Sequence, residues 1–122
     1  MTLEDNPPND SILTTVKASL GLPEAVMAYD PELLLHINTA LSELGQLAVG
    51  IANELVVTDK TTQWSDLYSD PRLSMVKTYV SLQTRIYFDP PTPGYVLEAF
   101  KDRAKELAWR ISVVAEEPSK SK

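Results

Sequence analysis

Two long apolar stripes, separated by one proline-rich connection, constrain this chain more than any other part of its sequence. The members of the second stripe are Leu97, Phe100, Ala104, Leu107, Ile111 and Val114. Their steps of three and four residues keep them on one side of a helix. The first stripe contains Met75, Tyr79, Leu82 and Ile86, widened by Leu73, Val76, Val80 and Tyr87. The connection FDPPTPG at 88–94 cannot continue a helix, so residues 73–115 predict an antiparallel helical hairpin.

Helix start signals precede both of these stripes and also a third apolar stripe, earlier in the chain. Asp70 and Thr92 are placed to act as N-caps, each followed by a proline at the first helical position, where a missing N–H costs nothing. Asp30-Pro31 repeats this signal ahead of a third helix, which we expect to end near Gly50. Its stripe is Leu34, Ile37, Leu41, Leu44 and Ala48, broadened by Leu33, Ala40 and Leu47.

A short helix is predicted near the beginning of the chain. Asp10 or Ser11 can cap it, and Gly21 stands where a helix often ends in a left-handed residue, with a proline two positions later. The fold class expected is therefore all-α, a small antiparallel bundle of about four helices with a long mid-chain loop at 52–69. We expect one helical domain at 10–115, a flexible arm at 1–9 and a flexible tail at 116–122.

One face of the last helix does not fit a self-contained bundle. At 100° per residue, Trp109 lies opposite the apolar stripe of its own helix. It shares that outer face with Tyr95, Asp102, Val113 and Glu116, which we take as candidate interface residues. Three arrangements remain open: another helix of the same chain covers the face, it is a subunit interface, or it is simply exposed. Trp and Tyr are enriched where protein surfaces meet.

The mid-chain loop is the second candidate contact region. Its candidate residues are Val57, Thr58, Asp59, Lys60 and Trp64. Residues 55–57 have strand character, 59–62 resemble a turn, and Trp64 could anchor the loop to the bundle. Loops of this length in small domains are often functional. The alternative is a connector that only crosses the end of the bundle.

Few residues in the sequence could carry chemistry. The chain has no cysteine and one histidine, His36, so thiol chemistry and histidine-rich metal sites are excluded. Glu98, Asp102 and Glu106 follow one another at four-residue steps, but basic residues interleave at pairing distance, which favours a solvated charged face. We predict no catalytic, cofactor or metal site, and therefore no enzyme.

Charge and hydropathy bear on partners. The formal net charge is −6, which argues against general nucleic-acid binding. There is no apolar run of the roughly 20 residues that span a bilayer, and the acidic start lacks a secretory pattern. We expect synthesis in the cytoplasm and no membrane partner.

An ordered set of short motifs resembles a known family. These motifs are SILTTVK at 11–17, LGL at 20–22, LHIN at 35–38, LGQLAVG at 44–50, WSDL at 64–67, VKTYV at 76–80, FDPP at 88–91, VLEAF at 96–100 and ELAWRI at 106–111. Taken in order, they resemble the head-to-tail connector (adaptor, or head-completion) proteins of tailed bacteriophages. The resemblance covers most of the chain and lies in the ordered set, not in any single motif.

The resemblance implies a helical, non-catalytic protein of the virion neck, made in the host bacterial cytoplasm. It implies a homo-oligomeric ring of roughly a dozen copies that docks under the portal protein. Such a ring extends the DNA channel, lets DNA pass without specific binding, and docks the next neck or tail protein. The alternative from the residues alone is a cytoplasmic helical binding module or regulator acting as a monomer or dimer.

Overall fold

The computed structural model describes residues 10–47 and 55–116, which form a bundle of four α-helices. They are α1 (Ile12–Ser19), α2 (Asp30–Leu47), α3 (Met75–Phe88) and α4 (Gly94–Glu116). Two short 3-10 turns, Trp64–Asp66 and Pro71–Leu73, precede α3. The predicted all-α bundle is confirmed. The arm at 1–9, the helix stop at Gly50 and all of the tail predicted at 116–122 except Glu116 lie outside the described residues.

The two ends of α1 follow the local sequence. Ser11 is the N-cap, and its hydroxyl accepts a hydrogen bond from the N–H of Thr14. At the other end Gly21 has φ +78°, and its N–H donates to the carbonyl of Ala18 at 3.1 Å. The N–H of Leu22 donates to the carbonyl of Lys17 at 2.9 Å. This pair of bonds is a Schellman motif, so the chain turns where glycine predicted it.

Helix α3 occupies the centre of the bundle and packs against α1, α2 and α4. Residues 89–93 join α3 to α4, so the predicted helical hairpin is present. The core is one cluster of buried side chains, to which every helix and the mid-chain loop contribute. Its buried apolar members are Ile12, Leu13, Val16, Leu33, Ile37, Ala40, Leu41, Leu44, Val57, Trp64, Leu67, Leu73, Val76, Tyr79, Val80, Ala104, Leu107, Ala108 and Ile111.

The starts of α3 and α4 differ from the prediction. Asp70 caps the 3-10 turn by accepting from the N–H of Arg72, and the α-helix begins only at Met75. Before α4, the carbonyl of Pro93 accepts the N–H groups of Val96 and Leu97. Pro93 therefore stands just before the helix, and Thr92 does not act as its cap. Both shifts are small, because a tight turn satisfies the first backbone donors before regular helix geometry begins.

The buried stripes are also rotated slightly from those predicted. In α3 the most buried residues are Val76, Val80 and Thr84, while Met75, Leu82 and Ile86 are half-buried. In α2, Leu33 and Ala40 lie in the core and Leu34 is half-buried, whereas Leu47, predicted to broaden the stripe, is exposed. A helix with neighbours on several sides buries the middle of a broad stripe, and the edges remain partly accessible.

Polar contacts supplement the apolar core at two places. The fully buried Lys17 donates to the carbonyl of Glu24 at 3.0 Å, and its Nζ lies 2.9 Å from Oδ1 of Asp30. These contacts hold the α1–α2 connection against α1. Between α2 and α3, the hydroxyl of Tyr87 donates to Glu43 at 2.8 Å, and the Gln83 amide donates to the same carboxylate at 3.1 Å.

Candidate functional site

The outer face of α4 carries the largest exposed aromatic side chains of the described chain. We define the α4 outer face as Tyr95, Asp102, Trp109, Val113 and Glu116, which are all exposed. Tyr95 is 80% exposed, Trp109 66% and Val113 37%. The other side of α4, with Ala104, Leu107 and Ile111, is buried against the bundle. The face therefore adds nothing to the core of its own subunit.

This result narrows the three arrangements left open by the sequence. No described helix covers Trp109, so the interpretation that places it under a neighbouring helix of the same chain is wrong for residues 10–47 and 55–116. A single exposed apolar residue needs no explanation, but an indole, a phenol and a valine on one stripe form an exposed apolar patch. Glu116 is the last residue of α4, one position beyond the predicted end of the domain.

Ion pairs flank the α4 outer face on both sides. Glu106 accepts hydrogen bonds from Arg103 at 3.1 Å and from Arg110 at 2.9 Å. These guanidinium donors lower the pKa of Glu106, with the hydrogen bond from Arg110 the largest cause. Lys101 lies 3.9 Å from Glu98. This is the solvated charged face that the sequence predicted, and it lies beside the exposed aromatic residues.

The mid-chain loop is fixed to the bundle at three points. The side-chain amide of Asn38 bonds to both backbone groups of Val57, and the N–H of Ile12 donates to the carbonyl of Thr62 at 3.0 Å. Trp64 is 1% exposed, and its Nε1 donates to the hydroxyl of Thr15 at 3.1 Å. The predicted anchoring role of Trp64 is confirmed. Residues 55–57 run as irregular chain, not as the strand that their composition suggested.

Burial divides the candidate contact residues of this loop into two groups. The side chains of Val57 and Trp64 belong to the core and are not presented to a partner by this subunit. Thr58, Asp59 and Lys60 are exposed. Asp59 accepts two hydrogen bonds from Thr61, which lower the pKa of its carboxyl group. The accessible part of the loop is therefore the turn at 58–61.

The turn at 58–61 faces the α1–α2 connection across a groove of about 390 Å³. Lys60 lies 3.5 Å from Glu24, and the exposed side chain of Met27 lines the same groove. Val26 and Tyr29 are exposed in the same connection. These three apolar residues were not predicted as contacts. The sequence feature that could have indicated them is the apolar run from Val26 to Tyr29, which lies in a segment without a helical stripe.

A second groove, also missed from the sequence, lies where α1, α3 and α4 approach one another. We define the α3 groove as its lining residues: Thr15, Ser19, Lys77, Thr78, Ser81, Leu82, Arg85 and Phe100. Its volume is about 440 Å³. Leu82 and Phe100 were both assigned to apolar stripes, and both are only half-buried. One feature of the sequence indicates this groove: the apolar stripe of α3 is wider than the face that a single neighbouring helix can bury.

His36 takes a structural position on α2. Its Nε2 lies 3.3 Å from Glu32, and its ring is 5.7 Å from that of Tyr87. Within the described ranges there is no group of three or more His, Asp and Glu side chains placed to hold a metal ion. No described helix is long and apolar enough to cross a membrane.

Comparison with known proteins gives a family match for this helical chain. The family model described as "Phage connector protein" matches residues 12–118, which include all four helices. No curated protein and no solved structure matches the chain significantly. Because the family model spans most of the sequence, the chain belongs to the phage connector protein family, whose members are structural components joining the head and tail of the virion.

Proposed function

We propose that copies of this connector assemble head to tail into a ring beneath the phage portal. The ring, of roughly a dozen copies, extends the DNA channel and docks the next neck or tail protein. The observation that carries the proposal is the α4 outer face, which is exposed although it bears Trp109 and Tyr95. A head-to-tail ring needs two different contact faces on each subunit, and this face supplies one of them.

A second contact surface is proposed at the turn that contains Thr58, Asp59 and Lys60. Its exposed polar side chains and the neighbouring Met27 form a mixed surface of the kind found at non-obligate interfaces. The core anchors at Val57 and Trp64 hold the turn in place, so little ordering is needed when a partner binds. We assign this surface to the portal or to the next neck protein.

The net charge supports a channel role without DNA affinity. With a formal charge of −6, the chain neutralises few phosphates on average. Affinity for DNA comes largely from Lys and Arg on the phosphate backbone, so an acidic ring allows DNA to move through it. We expect weak DNA binding that leaves the ring–portal contact unaffected.

The test is co-sedimentation of the purified protein with the portal ring encoded in the same genome, followed by electron microscopy of the sedimented fraction. The expected result is an annular layer added to the portal. Trp109→Ala should keep its helical circular dichroism and lose that layer, whereas Glu32→Ala, an exposed change on α2, should keep it. If well-folded wild-type protein never binds assembled portal at high concentration, the adaptor role is rejected, and a regulator or binding module becomes the better hypothesis.

A further inference from the structure

We infer that the α4 outer face of one copy docks into the α3 groove of the next copy, with Trp109 as the anchor. This inference rests on the proposed function and assigns the two faces that join neighbours in the ring. The two surfaces lie on different sides of the subunit. Phe100 lines the groove from the buried side of α4, and at 100° per residue it is roughly opposite Tyr95 and Trp109.

The groove is large enough to take a large side chain. Its volume of about 440 Å³ lies within the range of pockets that hold small organic ligands, so an indole ring can enter. Its apolar floor is Leu82 and Phe100, both half-buried in the free subunit. An aromatic anchor that fills an apolar pocket near the middle of an interface is the usual form of a binding hot spot.

The charges of the two surfaces are complementary. Lys77 and Arg85 line the groove, and none of the described residues that line it is acidic. The guanidinium of Arg85 lies 5.8 Å from the centre of the Phe100 ring. The α4 outer face has Asp102 and Glu116 among its five residues. Glu98 and one base, Lys105, are exposed on the same side of the helix, so this side is acidic overall. Complementary charges steer two surfaces together and fix their register.

The same charges disfavour the simplest alternative, which is a two-fold contact of the α4 outer face with itself. If two copies crossed antiparallel about Trp109, Asp102 of one copy would face Glu116 of the other, since both lie seven residues from the tryptophan. If they ran parallel, Asp102 and Glu116 would each face the same residue of the other subunit. Either arrangement places like charges together in a contact that excludes water, which is costly. The head-to-tail contact avoids this.

The absence of cysteine from the sequence makes a clean cross-linking test possible. Val113→Cys places a thiol one helical turn from Trp109, and Ser81→Cys places one in the groove with little change in size. The protein carrying both changes is treated with a short bis-maleimide, free in solution and bound to portal. The expected result is a ladder of linked chains in the assembled sample. A 1:1 mixture of the two single variants should stop at a dimer.

Matched controls separate this contact from chance collisions. Pairing Val113→Cys with Ser42→Cys, on the exposed side of α2, should give no ladder. Trp109→Ala or Lys77→Glu in the doubly labelled protein should reduce the ladder by about tenfold or more, because each removes one complementary feature. Circular dichroism of every variant confirms that it remains folded.

Each outcome bears on one proposal separately. If an annular layer forms on the portal but no ladder links 113 to 81, this inference is overturned and the proposed function stands. If Val113→Cys alone gives a linked dimer, the face contacts itself and the inference is again overturned. A ladder without portal binding supports the contact described here and counts against the portal role.

Discussion

The side-chain amide of Asn38 pairs with both backbone groups of Val57, much as one strand pairs with another. Its Nδ2 donates to the carbonyl at 3.0 Å, and its Oδ1 accepts from the N–H at 2.8 Å. One α2 side chain therefore provides hydrogen-bond partners for both backbone groups of Val57, whose own side chain lies in the core. The exposed turn at 58–61 begins immediately after this junction.

Removal of the amide should loosen the loop. We expect Asn38→Ala to lower the free energy of unfolding by about 1–3 kcal/mol, because it leaves two backbone groups without their partner. Asn38→Asp keeps an acceptor for the N–H but loses the donor, so it should also destabilise. Urea denaturation measures both, with the exposed Ser42→Ala as the matched control on α2. An Asn38→Ala protein as stable as the control would show that water replaces the amide without cost.

The two tryptophans should respond oppositely to truncation. Trp64 is buried at the junction of loop and bundle, and Trp64→Ala should cost about 3–5 kcal/mol of stability. Trp109 is exposed, and Trp109→Ala should change the stability of the subunit by less than about 0.5 kcal/mol. Chemical denaturation of both variants gives the comparison. A large loss of stability for Trp109→Ala would mean that it supports its own subunit.

The buried Lys17–Asp30 pair gives a third prediction. Lys17→Met removes the cation and leaves the Asp30 side chain, 18% exposed, without its partner, which should cost on the order of 3 kcal/mol. Adding Asp30→Asn removes the stranded charge and should recover about half of the loss. The check is a double-mutant cycle by urea denaturation. Additive effects would indicate that the two charges do not interact.

Thr84 offers a stabilising substitution. Its side chain is fully buried, and its hydroxyl has no hydrogen-bond partner among the described residues. Thr84→Val replaces that hydroxyl with a methyl group of similar shape and should raise the free energy of unfolding by about 1 kcal/mol. Thr84→Ser keeps the hydroxyl and deletes the methyl group, so it should destabilise. Thermal melts of the two variants should move in opposite directions.

Alkaline pH should weaken the contact between α2 and α3. Burial first and the nearby Glu43 second raise the pKa of Tyr79 and of Tyr87 from 10.0 to about 12. The raised pKa values belong to the folded state, so folding favours the protonated tyrosines. Their contribution to the free energy of unfolding is fully present below pH 10 and is lost as the pH rises toward 12. Denaturation measured between pH 9 and pH 12 should show the decline, and Tyr87→Phe should make it shallower.

The helices and the α4 outer face could be predicted because periodicity records them directly. A repeat of three and four residues marks the side that is buried, and a tryptophan opposite that side is visible without a structure. The left-handed turn at Gly21 was predictable for a similar reason, since glycine and the following proline act locally.

The remaining features depend on contacts between distant residues. Asn38 and Val57 are 19 residues apart, and nothing near either one indicates the pairing. The buried position of Lys17 depends on Asp30 and on the carbonyl of Glu24, which the tight end of α1 brings back to it. The α3 groove exists because α1 and α4 both pack on α3 and leave a gap between them, a property of the packing and not of one segment.

The contrast between Trp64 and Trp109 gives the protein two natural optical probes. The sequence has two tryptophans, one enclosed in the core and one open to solvent. Indole fluorescence shifts to shorter wavelength in apolar surroundings, so Trp64 emission reports whether the subunit is folded. Trp109 emission reports whether its outer face has been covered. Trp109→Phe, which keeps only the buried tryptophan, can therefore follow folding in real time without an added dye.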